Sequence, residues 1–200
     1  MRFYLYIFKL PFDALKFVVG NSYMVKQSEL THSKHSAAIT CVKEEYDLNP
    51  YLKVHTEKQI DVKKAVPKII KAMVPAFACK FDELSDTNDQ WIATHYKSVY
   101  KPGKVVASVY TFTQPTSDVP VGMTQIIGQN EVQKFYHDLS NDSIDFCFSF
   151  KLFCIQVDVF GLKSISEAMA GGKMNRLFAN NYQNLVTDKD KWFQLKYEDI

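Results

Sequence analysis

The chain has 200 residues, of which 46% are hydrophobic and 14% aromatic, and its formal net charge is +2. This composition excludes intrinsic disorder and predicts one domain over residues 1–200 with a sizeable core. The small charge argues against a strongly basic nucleic-acid surface, and no apolar run reaches the roughly 18–20 residues of a bilayer span.

The first half of the chain is predicted to be rich in strands. Arg2–Phe8 is predicted as a strand and Asp13–Ser28 as an amphipathic helix, followed by a polar loop at 31–36. The next predicted strands are Ala37–Tyr46, Tyr51–Val62, Ala76–Leu84, Gln90–Tyr100 and Lys104–Thr113. Short polar segments, such as the predicted turn at Ser85–Asp89, separate them, which is typical of antiparallel pairing.

The second half is predicted to end in helices. Val121–Ile127 is predicted as a strand, and Asn130–Leu139 as a short helix that starts on an Asn cap. A long strand over Ile144–Phe160 precedes a helix over Ser164–Val186, with further helix over Lys189–Asp199. We therefore expect an α+β fold in which a curved, mostly antiparallel sheet grips a long C-terminal helix around a cavity.

One lysine lies in the middle of the most apolar predicted strand. Because strand residues alternate between faces, Lys151 shares its face with apolar and small residues, namely Cys147, Ser149, Phe153, Ile155, Val157 and Val159. If this face points inward, the ammonium needs an anion, which is either a carboxylate of the protein or the phosphate of a ligand. A lysine at the edge of a sheet would instead extend to water.

Residues with metal-binding or catalytic chemistry are scattered. Cysteines occur without CxxC spacing, at Cys41, Cys79, Cys147 and Cys154, which predicts reduced thiols and a cytoplasmic protein. His32-x-x-His35 has no nearby cysteine or acidic partner, and His95 and His137 have no nucleophile beside them. We therefore expect no metal, no cofactor and no enzyme activity.

Two further patterns have simple structural interpretations. The acidic pairs are predicted to lie on solvated faces, and they are Glu44-Glu45, Asp82-Glu83 and Glu198-Asp199. The adjacent Gly171 and Gly172 lie inside the predicted long helix, where they weaken it and are expected to act as a hinge or a kink.

Three blocks of the chain resemble the phosphatidylinositol transfer proteins, which have a START-like helix-grip fold. The C-terminal block is Phe150-Lys-Leu, Val159-Phe-Gly-Leu162, Arg176-Leu-Phe-Ala-Asn180, Asp190-Lys-Trp192 and Glu198-Asp-Ile200. The middle block is Thr56-Glu-Lys58, Val66-Pro67, Thr94, Tyr100, Thr111 and Pro115, and the first is Leu10-Pro11 with Val19-Gly-Asn-Ser-Tyr23. The resemblance is faint between Gln114 and Phe150, where this chain is shorter than the family.

The resemblance implies a site for one phospholipid, with its head group inside. The implied phosphate-contacting residues are Asn21 (a Gln in the family), Thr94, Thr111 and Lys151. The implied inositol-contacting residues are Thr56, Lys58 and, at an Asn position of the family, Thr87 with Asn88 beside it. A fourth position, a Glu on the last helix, falls beyond Ile200. The family's membrane-inserting tryptophan pair corresponds to Val159-Phe160, and Leu162 extends this apolar tip.

The resemblance implies a monomeric transfer protein that carries phosphatidylinositol between membranes and contacts their surfaces transiently. The same fold could carry phosphatidylcholine, phosphatidic acid or another apolar molecule, or present a lipid to a kinase without net transfer. A helix-grip enzyme is the remaining alternative. It would need a catalytic set facing the cavity, such as Ser with His, and the sequence shows none.

Overall fold

A computed structural model describes residues 1–35, 38–47, 53–61, 80–88, 91–99, 104–141, 143–158 and 163–199. It describes the backbone alone at 28–35, 38, 163–169 and 198. Several predicted features lie outside the described residues, namely the Val66-Pro67 segment, Cys79 and the 159–162 tip.

Eight strands of the described residues form one sheet. They are β1 (Arg2–Leu10), β2 (Ala38–Asp47), β3 (Lys53–Asp61), β4 (Lys80–Asn88), β5 (Trp91–Ser98), β6 (Val105–Gln114), β7 (Val132–Asp138) and β8 (Cys147–Val157). Their order in the sheet is β2-β3-β4-β5-β6-β8-β1-β7. Neighbouring strands are antiparallel except β1 and β7, which pair in parallel. The sequence prediction of a mostly antiparallel sheet is therefore confirmed.

Helices cover the sheet on both faces. They are α1 (Ala14–His35), α2 (Val121–Ile127), α3 (Lys163–Thr187) and α4 (Lys189–Trp192), and a 3₁₀ turn follows at Tyr197–Asp199. On one face, here called the inner face, Tyr6, Phe8 and Phe153 pack with residues of α1 and α3. On the opposite, outer face, Leu5 and Phe150 pack against α2. The long strand β8 therefore contributes side chains to two cores, as its near-complete burial requires.

The predictions for residues 121–139 are wrong in both elements. Val121–Ile127 is a helix, because Met123 and Ile127 lie four residues apart and bury one helical face on the sheet. Val132–Asp138 is a strand, because it gains a full set of parallel hydrogen bonds along β1. Asn130 does not begin a helix. Its side-chain Nδ2 donates to the Ile127 carbonyl, 2.7 Å away, at the end of α2.

Helix α1 is longer than predicted. It continues through the segment 31–35, which the sequence predicted as a loop, to end at His35. The polar residues there include no glycine or proline, so nothing in the backbone chemistry forces the helix to end earlier.

The glycine pair in α3 is not a break, because the helix is continuous from Lys163 to Thr187. A Cβ on Gly171 would lie only 2.2 Å from Cε1 of Tyr4, so the glycine allows the helix to touch β1. The Tyr6 hydroxyl donates a 2.8 Å hydrogen bond to the Gly171 carbonyl at the same place. Gly171 is therefore a packing position, whereas a Cβ on Gly172 would meet nothing.

Candidate functional site

A cavity of about 380 Å³ lies between the inner face of the sheet and helices α1 and α3. Its volume is within the range of small-molecule sites. Apolar side chains make up one part of the wall, including Ile39, Val54, Ile60, Ile92, Val109, Met174 and Phe178. The predicted site residues that line it are Asn21, Thr56, Lys58, Thr87, Thr94, Thr111 and Lys151. The fold thus brings into one wall residues that are far apart in the sequence.

Lys151 is a buried cation in this wall. Its side chain belongs to a residue that is only 8% exposed, and its Nζ donates a 2.9 Å hydrogen bond to Oγ1 of Thr111 on the paired strand. The same ammonium lies 5.3 Å from the ring centroids of Phe178 and Tyr182. Within the part of the chain that the structure describes, no carboxylate forms an ion pair with Lys151.

The ionisation of Lys151 reflects this environment. Burial lowers the pKa of the ammonium from 10.5 to about 8, because removal from water penalises the charged form. A neutral hydroxyl and two ring faces stabilise a cation less than a carboxylate does. An anion in the cavity could therefore accept a hydrogen bond from the Lys151 ammonium and neutralise its charge.

The polar residues of the wall are ordered in three rows that run across paired strands. The first row is Lys58, Glu83 and Tyr96; the second is Thr56, Ser85 and Thr94; the third is Thr87, Ile92, Thr111 and Lys151. In the second row, the hydroxyls of Ser85 and Thr94 are hydrogen-bonded at 3.0 Å. Residues opposite each other on neighbouring strands lie side by side, so each row presents its groups along one line of the cavity.

Glu83 is the site residue that sequence analysis missed, and the prediction that it is solvated is wrong. Its Oε1 lies 3.9 Å from Nζ of Lys58, and the two side chains are only 13% and 10% exposed. Tyr96 is hydrogen-bonded to the same carboxylate, and burial followed by the charge of Glu83 raises the pKa of Tyr96. Spacing provided a signal, since Glu83 is two residues from Ser85 on the strand next to Thr56 and Lys58.

The remaining predicted residues are not all in the cavity. Asn21 lies on α1 and is buried in the wall, 8% exposed. Asn88 does not line this cavity. Its Oδ1 accepts a 2.9 Å hydrogen bond from the Trp91 backbone amide. It lines a second concavity, together with Tyr46 and His55. The residues predicted to dock on membranes, Val159, Phe160 and Leu162, lie outside the described residues.

The two histidines considered as catalytic candidates, His95 and His137, each lie beside a polar side chain. His95 Nδ1 is 2.9 Å from the hydroxyl of Ser108, and His137 Nε2 is 2.9 Å from Oδ1 of Asn175. Among the described residues, no three His, Cys, Asp or Glu side chains are grouped closely enough to hold a metal ion. In the same part of the chain, no helix is both long and apolar enough to cross a membrane.

The sequence matches a model of a known protein family. A family model described as phosphatidylinositol transfer protein matches residues 1–144 and 124–200. The chain belongs to the phosphatidylinositol transfer protein family. Comparison with curated proteins gives no match. The sheet and the long helix that encloses its inner face agree with the START-like helix-grip fold that the resemblance implied.

Members of the phosphatidylinositol transfer protein family share a type of function and a class of ligand. This is a family of lipid-transfer proteins rather than of enzymes, and its ligand is a phospholipid. A phospholipid combines a polar, phosphate-bearing head group with apolar chains. The cavity wall likewise combines a cation and other polar groups with apolar side chains.

Proposed function

We propose that the chain binds one glycerophospholipid in this cavity, with phosphatidylinositol as the preferred lipid, and exchanges it between membranes. The observation that supports this proposal is Lys151, a buried ammonium in the cavity wall with Thr111 as its hydrogen-bond acceptor. A buried cation is costly unless an anion neutralises it. A lipid phosphate supplies that charge and accepts the hydrogen bonds of the ammonium.

In this proposal the phosphate lies between Lys151 and the neutral groups of Thr111, Thr94 and Asn21. The inositol ring then extends toward the first two polar rows, where Thr56 and Lys58 supply donors and Glu83 supplies an acceptor. A polyol needs both kinds of partner, because each hydroxyl can donate and accept. Thr87 contributes at the edge of the ring, while Asn88, which is outside the cavity wall, has no part in this proposal.

The energetics explain why a protein is needed for this exchange. Two acyl chains contain some 30 methylenes, and exposing each to water costs about 0.8 kcal/mol, so free desorption opposes transfer by roughly 20 kcal/mol or more. An apolar cavity nearly cancels this cost. The proposed cycle therefore requires binding and release at a membrane surface and no covalent chemistry.

We place that transient docking at the Val159-Phe160 and Leu162 tip. We also propose that the protein acts as a cytoplasmic monomer.

The experiment that tests the function is native mass spectrometry of the purified chain followed by identification of the released lipid. The proposal expects one phospholipid per chain, enriched in phosphatidylinositol, and transfer of that lipid between vesicle populations. Recovery of phosphatidylcholine or phosphatidic acid alone would keep the carrier function and overturn the head-group assignment. Recovery of lipid without transfer would instead favour a protein that presents its lipid to another protein.

A further inference from the structure

Two aromatic rings of helix α3 lie beside the Lys151 ammonium. Phe178 and Tyr182 are four residues apart, which places them on one face of the helix. Each ring centroid is 5.3 Å from Nζ of Lys151. Both distances are within the roughly 6 Å over which the negative face of an aromatic ring attracts a cation.

The Tyr182 ring is held firmly in this position. It is fully buried, and its hydroxyl is 2.7 Å from the hydroxyl of Ser149, which lies on the same face of β8 as Lys151. Phe8 and Phe17 meet the ring edge to face, at centroid distances of 4.3 Å and 5.9 Å. These contacts fix the ring from three sides, so its orientation toward Lys151 does not depend on a ligand.

The Phe178 ring packs against β1, the strand that pairs with β8. It meets Tyr6 edge to face at 5.1 Å, and Tyr6 is the residue opposite Lys151 on β1. The Tyr6 hydroxyl is itself bonded to the Gly171 carbonyl of α3. Unlike Tyr182, Phe178 also lines the cavity. The two rings and Thr111 therefore lie around the ammonium of a residue that also lines the cavity.

We propose that Phe178 and Tyr182 are positioning residues that hold Lys151 charged and directed into the cavity, where it can bind an anionic head group. This inference rests on the phospholipid-binding function proposed above. The arrangement avoids a carboxylate partner, which would compete with the phosphate for the same cation. It also links the head-group site to α3, since both rings belong to that helix.

The test compares ring-removing variants with a matched core variant. Phe178→Leu and Tyr182→Leu each remove one ring from the ammonium, whereas Tyr182→Phe keeps the ring and removes only the hydroxyl. Phe12→Leu is the control, because Phe12 is a buried ring that packs on Trp192 and does not line the cavity. Thermal unfolding of all four variants measures the general loss of packing that they share.

The first measurement is the NMR titration of the Lys151 ammonium in the full chain. Loss of a ring removes stabilisation of the charged form, so Phe178→Leu and Tyr182→Leu should lower the pKa of Lys151 below its wild-type value. Phe12→Leu should leave the titration unchanged, and Tyr182→Phe should shift it less than Tyr182→Leu. Wild-type titration in both ring-removing variants would overturn the inference.

The second measurement is binding of a fluorescent phosphatidylinositol from phosphatidylcholine vesicles. Each ring-removing variant should bind it about tenfold more weakly than wild type, beyond any effect of Phe12→Leu. Equal losses in the control and the ring-removing variants would show that packing alone is responsible and would overturn the inference. If the wild-type protein binds no phospholipid, the proposed function fails, and the titration still decides whether the rings hold the cation.

Discussion

Lys58 and Glu83 stand opposite each other on β3 and β4 and form a nearly buried ion pair, with Nζ 3.9 Å from Oε1. The pair faces the same cavity as Lys151, which has no carboxylate partner among the described residues. The wall therefore contains an ion pair, Lys58 with Glu83, and the ammonium of Lys151, whose hydrogen-bond partner is a neutral hydroxyl. This contrast leads us to assign the phosphate to Lys151 and the head-group hydroxyls to the row that contains Glu83.

Glu83→Gln tests the assignment of the head-group row. The change keeps the size of the side chain but removes the charge that faces Lys58 and Tyr96. Hydrogen bonds to charged groups contribute roughly 1.5–3 kcal/mol, so transfer of phosphatidylinositol should fall roughly tenfold or more, with a smaller effect on phosphatidylcholine. Lipid transfer between vesicles, measured separately for the two lipids, checks this result.

Asp82→Asn is the matched control for Glu83→Gln. Asp82 is the adjacent residue on β4, but its side chain is exposed and does not line the cavity. The same chemical change there should leave transfer of both lipids at the wild-type rate. If Asp82→Asn had the same effect as Glu83→Gln, the overall charge of the strand, and not the cavity, would be responsible.

Thr56→Val tests whether β3 contacts the head group. Valine has nearly the same shape as threonine and lacks only the hydroxyl, so the cavity wall keeps its packing. We expect a selective loss of phosphatidylinositol transfer relative to phosphatidylcholine transfer, measured by competition between the two lipids. Thr40→Val, at an exposed position of β2 outside the cavity wall, is the control. Equal losses for both lipids in Thr56→Val would indicate a structural role for this threonine.

Gly171→Ala tests the close contact between α3 and β1. The added methyl would overlap the Tyr4 ring, so the helix must shift, and we expect a loss of roughly 1–3 kcal/mol in the free energy of unfolding. Gly172→Ala should instead stabilise the protein by roughly 1 kcal/mol, because its methyl meets nothing and alanine favours helix. Chemical denaturation measures both, and destabilisation of equal size would favour a hinge over a packing contact.

The pH dependence of stability reports on Lys151. Its pKa is about 8 in the folded protein and 10.5 as the ordinary value, so between these values the unfolded chain binds more protons. The contribution of this group to stability should therefore rise as the pH increases from about 8 to about 10.5. The difference in unfolding free energy between wild type and Lys151→Met, followed across this range, should change by a few kcal/mol. Parallel curves would mean that the ammonium is not buried.

The sequence predicted the sheet well because alternation along a strand is a local signal. Lys151 and its apolar neighbours in β8 follow period 2, and the structure confirms that Lys151 and Phe153 face inward. The helix α2 and the strand β7 were predicted the wrong way round because both are short. A seven-residue segment has little intrinsic preference, and contacts with β1 and the outer face decide its structure.

The candidate site was predictable where residues matched a family pattern and not where it depended on strand pairing. Thr94, Thr111 and Lys151 match residue types of the family pattern, and the fold brings them into one wall. Glu83 was missed because an acidic pair is typical of a solvated face, whereas the register of β3, β4 and β5 places Glu83 between Lys58 and Tyr96. The aromatic neighbours of Lys151 come from α3, whose contact with β8 no local pattern encodes.

The most direct test of the account compares Lys151→Met with wild type in stability and in lipid binding together. Methionine fills similar space without the buried charge, so the unfolding free energy at neutral pH should be unchanged or higher. Binding and vesicle-to-vesicle transfer of phosphatidylinositol should nevertheless be lost. Lys97→Met, at an exposed lysine of β5, is the control and should retain both. A Lys151→Met protein that carries phospholipid at the wild-type rate would contradict the central claim.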